Sequence, residues 1–600
     1  MMNLRGKPGP FIFLLFLSQL ALGQPLANRD VLRTGIGSSI TINLSDLTTN
    51  DFGTHLIVTR VGPRSANGGI MAIRSTQAWQ LMCDGPANRD DGAMSLAVAP
   101  NDNVIVAGRS MSEAGGYGYV TLSLTATNGR TQWIYRWPAN ESGFPVPAMA
   151  LDSIGNVVIS APDAGAIVTK KLDPYGQAIW TNSLPIGLAY NGPRSFVTTD
   201  SQGNVYVAAP SDLDILTVRY NADGSAAWTN RFNGPFSGSD LPHAIACTSN
   251  GLIYVTGLSQ APGYVWDVVT LAYNSAGALL WSRRYVNPRE FVGVNASAVD
   301  SSGNLFLAGY SFDPVTDYDF RLIKSGSDGT DLAQISYNGP ASSSDFANAI
   351  VVDRLGQFYV TGSSRNSPSG PYGSATVKYS ADGQPLWSRR YSSPGANNNY
   401  GDSLAVDHAG FCTVGGSSYS GGLTSDYLVI KYATDGAVLW TNRLAGPNGD
   451  DNPALIACDR RGNVYVAGKV TLSTTDSDLI VAKYVDQLTY TPPPGFSGID
   501  SLSYTVVDPS GTTATGEVMI FVGAANAVFL GNVSRSNDQG IAFNIFGPSG
   551  RKVALQRRTG EGFSAWETVA TNTLTGSVSQ FTDSESSHPH CIYRAVLLQW

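Results

Sequence analysis

Four aspartates occupy the positions in this sequence that most directly suggest a site. Asp91, Asp240, Asp345 and Asp451 each stand five residues before an apolar residue of a predicted strand, in four stretches of related sequence. Equivalent carboxylates from several such stretches could form a partial ring that holds a cation. Alternatively, each carboxylate accepts backbone N–H groups where its strand begins, and we favour this second interpretation.

Aromatic side chains in the longer and more variable predicted loops form a second group of candidates. Because loops on a rigid scaffold often bind ligands, these rings could stack on sugars or anchor a protein partner. Packing within its own loop is the alternative for each ring. The ligand-binding candidates are Tyr117, Tyr264, Trp266, Tyr318 and Tyr372, and the same loops carry Phe236, Phe312, Tyr400 and Tyr419.

Other kinds of chemistry have little support in the sequence. The five histidines have no zinc-type spacing, and no Gly-x-Ser-x-Gly elbow, phosphate-binding loop or dinucleotide fingerprint occurs. The formal net charge is −8, and no block of Lys and Arg indicates a nucleic acid as partner. We therefore assign no catalytic, cofactor-binding or metal-binding residue, and we expect an extracellular glycan or protein as the partner.

A repeat of about fifty residues positions these candidates. Segments such as DGSAAWTNRFNGP (223–235) and DGAVLWTNRLAGP (435–447) join a tight turn to a strand that carries a tryptophan. Three further short strands recur between successive tryptophans, so each repeat supplies four strands. The tryptophan position is occupied by Trp79, Trp133, Trp180, Trp228, Trp281, Ala333, Trp387 and Trp440.

Two turn signals recur within each repeat. Asp-x-x-Gly, as at Asp200 and Gly203, is expected to join the first two strands, with the carboxylate on backbone N–H groups and the glycine at positive φ. A second turn, such as Asp223-Gly224, precedes the tryptophan strand. The last repeat ends near Gln487 without this turn, so we predict that the Trp79 strand completes it and closes a ring.

This pattern resembles the β-propeller repeats of secreted bacterial proteins, over about 79–486. The resemblance implies an all-β fold with an eight-bladed β-propeller at 77–487. The turn before the tryptophan is also similar to the tryptophan-docking turn of eight-bladed quinoprotein dehydrogenases, which use pyrroloquinoline quinone with calcium. This chain lacks the adjacent cysteine pair of those enzymes, so a propeller enzyme is the alternative and a non-catalytic binding or adhesion scaffold is the preferred function.

Two segments that flank the repeats resemble the halves of one immunoglobulin-like or cadherin-like domain of bacterial surface proteins. The first half, 29–74, contains GSSITINLSDLTTND, LIVTRV and SANGGIMAI, and the second, 488–523, contains LTYTPPPGFSGIDSLSYTVVDPSG. We therefore predict a discontinuous β-sandwich that carries the propeller at a hairpin tip. This hypothesis requires strand 66–74 to pair antiparallel with 487–492.

The two ends of the sequence add a localisation and a further domain. Residues 1–23 are predicted to be a signal peptide, because Arg5 and Lys7 precede an apolar run that ends in small residues. Residues 527–600 are predicted to form a small C-terminal β domain. We expect a secreted or cell-surface protein that is not inserted in the membrane once the signal peptide is removed.

Overall fold

The structure is a computed structural model, and nearly all of its regular elements are β-strands. The chain forms two compact units, one of 1–41, 45–71 and 490–600 and the other of 42–44 and 72–489. The predicted signal peptide and Tyr264 lie outside the described residues. These are 27, 29–34, 37–49, 51, 55–113, 115–141, 146–187, 194–263, 265–286, 293–395, 397–419, 424–446, 448, 451, 454–473, 476–523, 528–535, 541–546, 550–559, 566–575, 578–583 and 591–598.

The N-terminal segment contributes four strands and one short helix. Strand β4 is by far the longest of these elements and carries Trp79. In chain order they are β1 (Arg29–Thr34), β2 (Ile40–Asn43), a 3-10 helix (Leu44–Thr48), β3 (Ile57–Val61) and β4 (Ile70–Cys83).

Among the described residues, seven four-stranded sheets then follow one another along the chain, each built from four consecutive antiparallel strands. The first four sheets are β5 (Asp91–Val98), β6 (Val104–Met111), β7 (Tyr117–Leu124) and β8 (Thr131–Glu141); β9 (Ala148–Leu151), β10 (Val157–Asp163), β11 (Ala166–Leu172) and β12 (Ala178–Pro185); β13 (Phe196–Thr199), β14 (Val205–Ser211), β15 (Asp214–Tyr220) and β16 (Ala226–Phe232); and β17 (Asp240–Cys247), β18 (Ile253–Ala261), β19 (Val265–Tyr273) and β20 (Leu279–Tyr285). The next three are β21 (Gly293–Val299), β22 (Leu305–Asp313), β23 (Asp317–Ser325) and β24 (Asp331–Tyr337); β25 (Asp345–Val352), β26 (Phe358–Arg365), β27 (Tyr372–Tyr379) and β28 (Pro385–Tyr391); and β29 (Asn399–Val406), β30 (Cys412–Tyr419), β31 (Ser425–Tyr432) and β32 (Val438–Leu444).

Within one sheet, the middle strands are more buried than the fourth strand, as expected when neighbouring sheets pack face to face. The second strand β14 is buried along its whole length, whereas the fourth strand β16 alternates between exposed and half-buried positions. The middle strands therefore lie between two neighbouring sheets and are apolar on both faces. Core clusters accordingly join adjacent sheets, as where Tyr206 and Ile215 pack with Val255 and Val269.

The turns between the first two strands are formed as the sequence predicts. Asp200 Oδ1 accepts the backbone N–H groups of Gln202 and Asn204, at 3.0 and 2.9 Å. Gly203 has φ +78°, which a glycine adopts without the strain that a Cβ would cause. The carboxylates of these turns therefore serve the backbone.

The last repeat forms a sheet that takes a strand from the N-terminal side. It contains β33 (Leu455–Cys458), β34 (Val464–Ser473) and β35 (Asp476–Thr491), and β35 pairs with β34, β2 and β4. The strand that carries Trp79 thus joins the sheet of the last repeat, which is the pairing that ring closure requires. Strands β4 and β35 also include 70–74 and 487–491, which are parts of the two segments that the split-domain hypothesis requires to pair.

The tryptophans connect consecutive sheets. Trp228 Nε1 donates a hydrogen bond to the Ser275 carbonyl of the next sheet at 3.1 Å, and a Cβ on Gly277 would lie 2.7 Å from the Trp228 ring. Trp79 makes the same contact from β4 to the first sheet, with 3.1 Å from its Nε1 to the Ala126 carbonyl. Strands β33 and β34 also contact β5, so contacts of this kind continue from the last sheet to the first.

The other unit contains a sheet made from both flanking segments. Strands β36 (Gly498–Val507) and β37 (Thr513–Val522) pair with each other, β1 lies parallel to β37, and β3 lies antiparallel to β36. The Asp500 carboxylate, buried in this unit, accepts the Tyr490 hydroxyl at 2.9 Å and the Asn67 N–H at 2.8 Å. This buried carboxylate therefore ties together residues from before and after the repeats.

Six short strands form two three-stranded sheets at the C-terminal end, with orders β38-β39-β42 and β41-β40-β43. Buried Arg557 bridges the two sheets by donating to Asp583 at 2.8 Å, and Phe546 stacks on Phe521 with ring centroids 4.3 Å apart. The strands are β38 (Phe529–Arg535), β39 (Ile541–Phe546), β40 (Lys552–Thr559), β41 (Glu567–Thr573), β42 (Val578–Asp583) and β43 (Cys591–Leu597).

Candidate functional site

A continuous band of aromatic rings crosses the three sheets β21–β24, β25–β28 and β29–β32. Consecutive ring centroids along it are 5.4, 5.4, 6.3, 5.9 and 6.0 Å apart. Phe312 is 38% exposed and the other rings are half-buried. We call this surface the aromatic band, and its members are Phe312, Tyr318, Phe346, Tyr372, Tyr400 and Tyr419, with Tyr310 packed against Tyr318 and Phe346.

The band lies where strand ends and variable loops meet. Tyr372 is the first residue of β27 and Tyr419 is the last residue of β30, so both stand beside a connection between a second and a third strand. Phe346 and Tyr400 are each the second residue of a first strand. The structure therefore brings together the sequence-predicted candidates Tyr318 and Tyr372, and it adds Phe346, which sequence reasoning missed.

Polar and charged groups flank the centre of the band. The Arg365 guanidinium lies over the Tyr372 ring, 4.5 Å from its centroid, and the Asn398 side chain accepts the Tyr372 N–H at 2.9 Å. Half-buried Asp402 accepts the Ser417 hydroxyl at 3.3 Å, and burial raises the pKa of its carboxyl to about 6. A ligand on these rings would thus meet hydrogen-bonding groups as well as apolar faces.

The remaining aromatic candidates lie apart from the band. Tyr117 is only 6% exposed, its hydroxyl donates to Asp90 at 2.7 Å, and burial followed by the Asp90 hydrogen bond raises its pKa to about 12. Its ring is therefore part of the interior and offers no stacking surface. Trp266 is half-buried in β19, opposite Gln260. Phe236 is 53% exposed and lies beneath the Arg284 guanidinium.

Asp91, Asp240 and Asp345 are buried as the first residues of their strands, and Asp451 is buried shortly before β33 begins at Leu455. Asp240 accepts the Gly234 N–H at 2.6 Å, and Asp91 accepts the Gly85 N–H at 2.7 Å. Asp345 and Asp451 make the corresponding bonds to Gly339 and Gly446. Within the described part of the chain, none of the four belongs to a group of three side chains able to share one metal ion. These hydrogen bonds are the ones that the preferred backbone-bonding interpretation requires.

A cavity of about 320 Å³ lies among the first strands of several sheets. Its lining includes Met94, Arg194, His243 and Ser297, and none of its described lining residues is a carboxylic acid. Burial lowers the pKa of His243, so its imidazole is neutral near pH 7. The described lining therefore provides no acid–base pair of the kind that hydrolytic catalysis uses.

A separate group of three carboxylates was not found from the sequence. Ligand atoms of Asp84, Asp476 and Asp478 all lie within 4.8 Å of one another, next to the junction of β4 with β35. Asp84 is exposed, Asp476 is half-buried and Asp478 is buried. We call these three residues the acidic cluster.

Comparison with known families supports both resemblances seen in the sequence. A β-propeller repeat model matches residues 439–469, and a bacterial Ig domain model matches residues 459–521. The Ig match begins within the sheet of β33–β35, whereas the structure pairs β36 and β37 with β3 and β1 from the N-terminal segment. No curated protein matches the chain.

The solved structures that align with this chain share little sequence identity with it. Quinohemoprotein alcohol dehydrogenase from Comamonas testosteroni has 10% identity and a TM-score of 0.42, covering 68% of this chain and 76% of its own. The extracellular domain of a hybrid two-component system from B. thetaiotaomicron has 12% identity and a TM-score of 0.31, covering 90% of this chain and 70% of its own. The β-propeller domain of the Trilobed protease from Pyrococcus furiosus has 9% identity and a TM-score of 0.36, covering 57% of this chain and 93% of its own.

Among the described residues, no helix has the length and apolar character needed to cross a membrane.

Proposed function

We propose that this protein is an exported, non-catalytic binding protein that holds an extracellular glycan on the aromatic band. The single observation that carries the proposal is the run of contacting rings from Phe312 to Tyr419 across three sheets. Isolated exposed aromatics are common, whereas a contiguous, partly exposed row at the loop-bearing edge of a rigid scaffold supports a ligand surface there.

The chemistry of the band favours a carbohydrate over an apolar protein segment. Sugar rings present C–H faces that pack on aromatic rings, and their hydroxyl groups need hydrogen-bond partners at the rim. Arg365, Asn398 and Asp402 supply such groups around Tyr372 and Tyr400. A protein partner at the same face is the alternative outcome.

The scaffold in this proposal is an eight-bladed propeller held in a split sandwich. Seven four-stranded sheets and the sheet of β33–β35 with β4 supply the eight blades, and the Trp79 contact to Ala126 supports a closed ring. The sheet shared by β1, β3, β36 and β37 supports a single sandwich domain formed by 29–74 and 488–523, with the propeller at 77–487 as the insert and 527–600 as the C-terminal domain.

A glycan array followed by calorimetry with the best ligand tests this proposal. Tyr372→Ala and Tyr318→Ala should each weaken binding at least about tenfold, which corresponds to about 1.4 kcal/mol. Their melting temperatures should stay within a few degrees of the parent protein. The matched control is Tyr175→Ala, because Tyr175 is 78% exposed in a turn outside the band.

Two results would contradict the proposal. Unchanged glycan binding by the Tyr372→Ala and Tyr318→Ala variants would remove the band from the site. Binding of a protein ligand but of no glycan on the array would favour the alternative partner. A propeller enzyme of the quinoprotein kind would instead show a higher melting temperature with pyrroloquinoline quinone plus calcium than with calcium alone.

A further inference from the structure

In five sheets, the third strand carries an aspartate at the same position. It stands six residues before the last residue of that strand that pairs with the second strand. The equivalent residues are Asp214 in β15, Asp267 in β19, Asp319 in β23, Asp426 in β31 and Asp478 in β35. All five are mostly buried, so their charges need compensation.

An arginine of the fourth strand supplies that compensation in three of the five sheets. Arg231 lies 3.1 Å from Asp214, Arg284 lies 2.6 Å from Asp267, and Arg443 lies 2.6 Å from Asp426. Each arginine stands three residues after the tryptophan of its strand. The pair is thus a feature of the repeat: an aspartate on one strand and an arginine on its neighbour.

The sheet completed by β4 lacks this arginine. Three residues after Trp79 stands Met82, which is 40% exposed. Asp478 is 7% exposed, and among the described residues it has neither a hydrogen-bond nor an ion-pair partner for its carboxylate. A buried carboxylate without a partner is costly, so the lack of the arginine that pairs with Asp214, Asp267 and Asp426 calls for another positive charge at Asp478.

Two further carboxylates surround Asp478 in place of the arginine. Asp84 and Asp476 lie within the 4.8 Å acidic cluster, and Asp476 Oδ1 is itself buried without a partner. The position of Asp476 is also acidic in two other repeats, where it is Asp212 or Asp317, whereas the position of Asp84 is Ala445 in the preceding repeat. The closing sheet therefore lacks the arginine of three repeats and carries an additional carboxylate, Asp84, at the same place.

The nearby basic side chains act on other groups. Arg109 and Lys469 pair with Asp90, at 3.2 and 3.6 Å. Arg136 hydrogen-bonds Ser110 at 3.5 Å. None of the described basic residues forms an ion pair with Asp84, Asp476 or Asp478, so the protein leaves the charge of the cluster uncompensated.

We propose that Asp84, Asp476 and Asp478 bind one calcium ion, which replaces the missing arginine where β4 joins the sheet of the last repeat. Calcium accepts six to eight oxygen ligands in flexible geometry, and water can supply those that the three carboxylates do not. The exposed Asp84 leaves that side open to water. Magnesium needs a stricter octahedral arrangement and zinc prefers nitrogen and sulfur ligands, so calcium fits this site best.

Calorimetric titration of the full chain with calcium chloride, after treatment with EDTA and dialysis, tests the site. We expect one ion per chain and a melting temperature about 2 °C or more higher at saturating calcium. Asp478→Asn should weaken calcium binding at least about tenfold. Asp319→Asn is the matched control, because Asp319 has the same strand position and also lacks an arginine, but it belongs to no group of three carboxylates among the described residues.

A charge replacement provides a second, independent variant. Met82→Arg restores the arginine of the other repeats, so it should raise the melting temperature without calcium and remove the response to calcium. Because Met82 is partly exposed, this variant is expected to fold even if Asp478→Asn does not. Absence of calcium binding in the parent protein would overturn the proposal, as would undiminished binding by both variants, loss of binding in Asp319→Asn, or equal affinity for magnesium.

Discussion

The sheet of β29–β32 and the sheet that contains β4 follow the same four-stranded plan but are assembled differently. In the first, four consecutive strands pair, and Arg443 neutralises Asp426 at 2.6 Å. In the second, the fourth strand comes from the other end of the repeat array, and Met82 stands where the arginine would be. The fourth strand thus joins its sheet even when it is distant in sequence from the other three. The charge pair between the third and fourth strands is absent from that sheet.

The tryptophan contacts also differ between the two sheets. Trp440 is 6% exposed and its Nε1 donates to Asp486 at 2.7 Å, whereas Trp79 is half-buried and donates to the Ala126 carbonyl at 3.1 Å. The two rings hold different junctions: Trp440 links two sheets that are adjacent in sequence, and Trp79 links the last sheet to the first. Their removal should therefore have different consequences.

The largest expected effect is on global stability. Trp440→Ala should lower the free energy of unfolding by about 3–5 kcal/mol, as is usual when a buried tryptophan is truncated. Trp79→Ala should cost less, about 2–3 kcal/mol, because this ring is only half-buried. Urea unfolding followed by tryptophan fluorescence measures both values, and a larger loss for Trp79→Ala would show that the closing contact dominates stability.

A smaller effect is expected from making the preceding sheet resemble the closing one. Arg443→Met removes the partner of Asp426, and because the pair is partly exposed the loss should be about 1–2 kcal/mol, below that of a fully buried pair. Thermal melts with and without calcium check it. The variant should show no calcium response beyond that of the parent protein, and a new calcium site would mean that one carboxylate suffices.

The smallest effect concerns Asp402, a single uncompensated carboxylate on β29. Burial raises its pKa to about 6 in the folded protein, above the ordinary 3.8, so ionisation destabilises the fold as pH rises from about 4 to 6. Asn295 and Asn348 occupy the equivalent bulge positions of two other sheets, where each donates to a neighbouring carbonyl.

Asp402→Asn should therefore increase stability at pH 7 and have little effect near pH 4, where the parent carboxyl is protonated. The melting temperature of both proteins across pH 4–7 measures this difference. An equal difference at both ends of the range would mean that a lost or gained contact, rather than ionisation, accounts for the change.

Much of the fold could be predicted from the sequence because the same turn and strand patterns recur from one repeat to the next. The tryptophan spacing, the Asp-x-x-Gly turns and the absence of a turn after Gln487 together predicted that the Trp79 strand completes the last repeat, and β4 does pair with β35. These are local signals, and repetition makes each of them easy to recognise.

The sites were harder to predict because they depend on neighbours from different strands. The aromatic band could be named in part from loop aromatics, but Phe346 was missed although it has the same strand position as Tyr400, and Tyr117 proved to be buried. The acidic cluster joins residues nearly 400 positions apart, and only the pairing of β4 with β35 brings them together. Aligning Met82 with the arginines of the other repeats was the signal that could have revealed it.

The measurement that tests the account most directly is hydrogen exchange of the full chain, with EDTA and with saturating calcium. Backbone amides of 77–83 and 476–482 should be protected as strands in EDTA and should exchange more slowly with calcium, while those of 425–432 and 438–444 should be unaffected. Unprotected amides at 77–83 would contradict the pairing of β4 with β35. A calcium effect absent from 77–83 and 476–482, or equal in both sheets, would contradict the site.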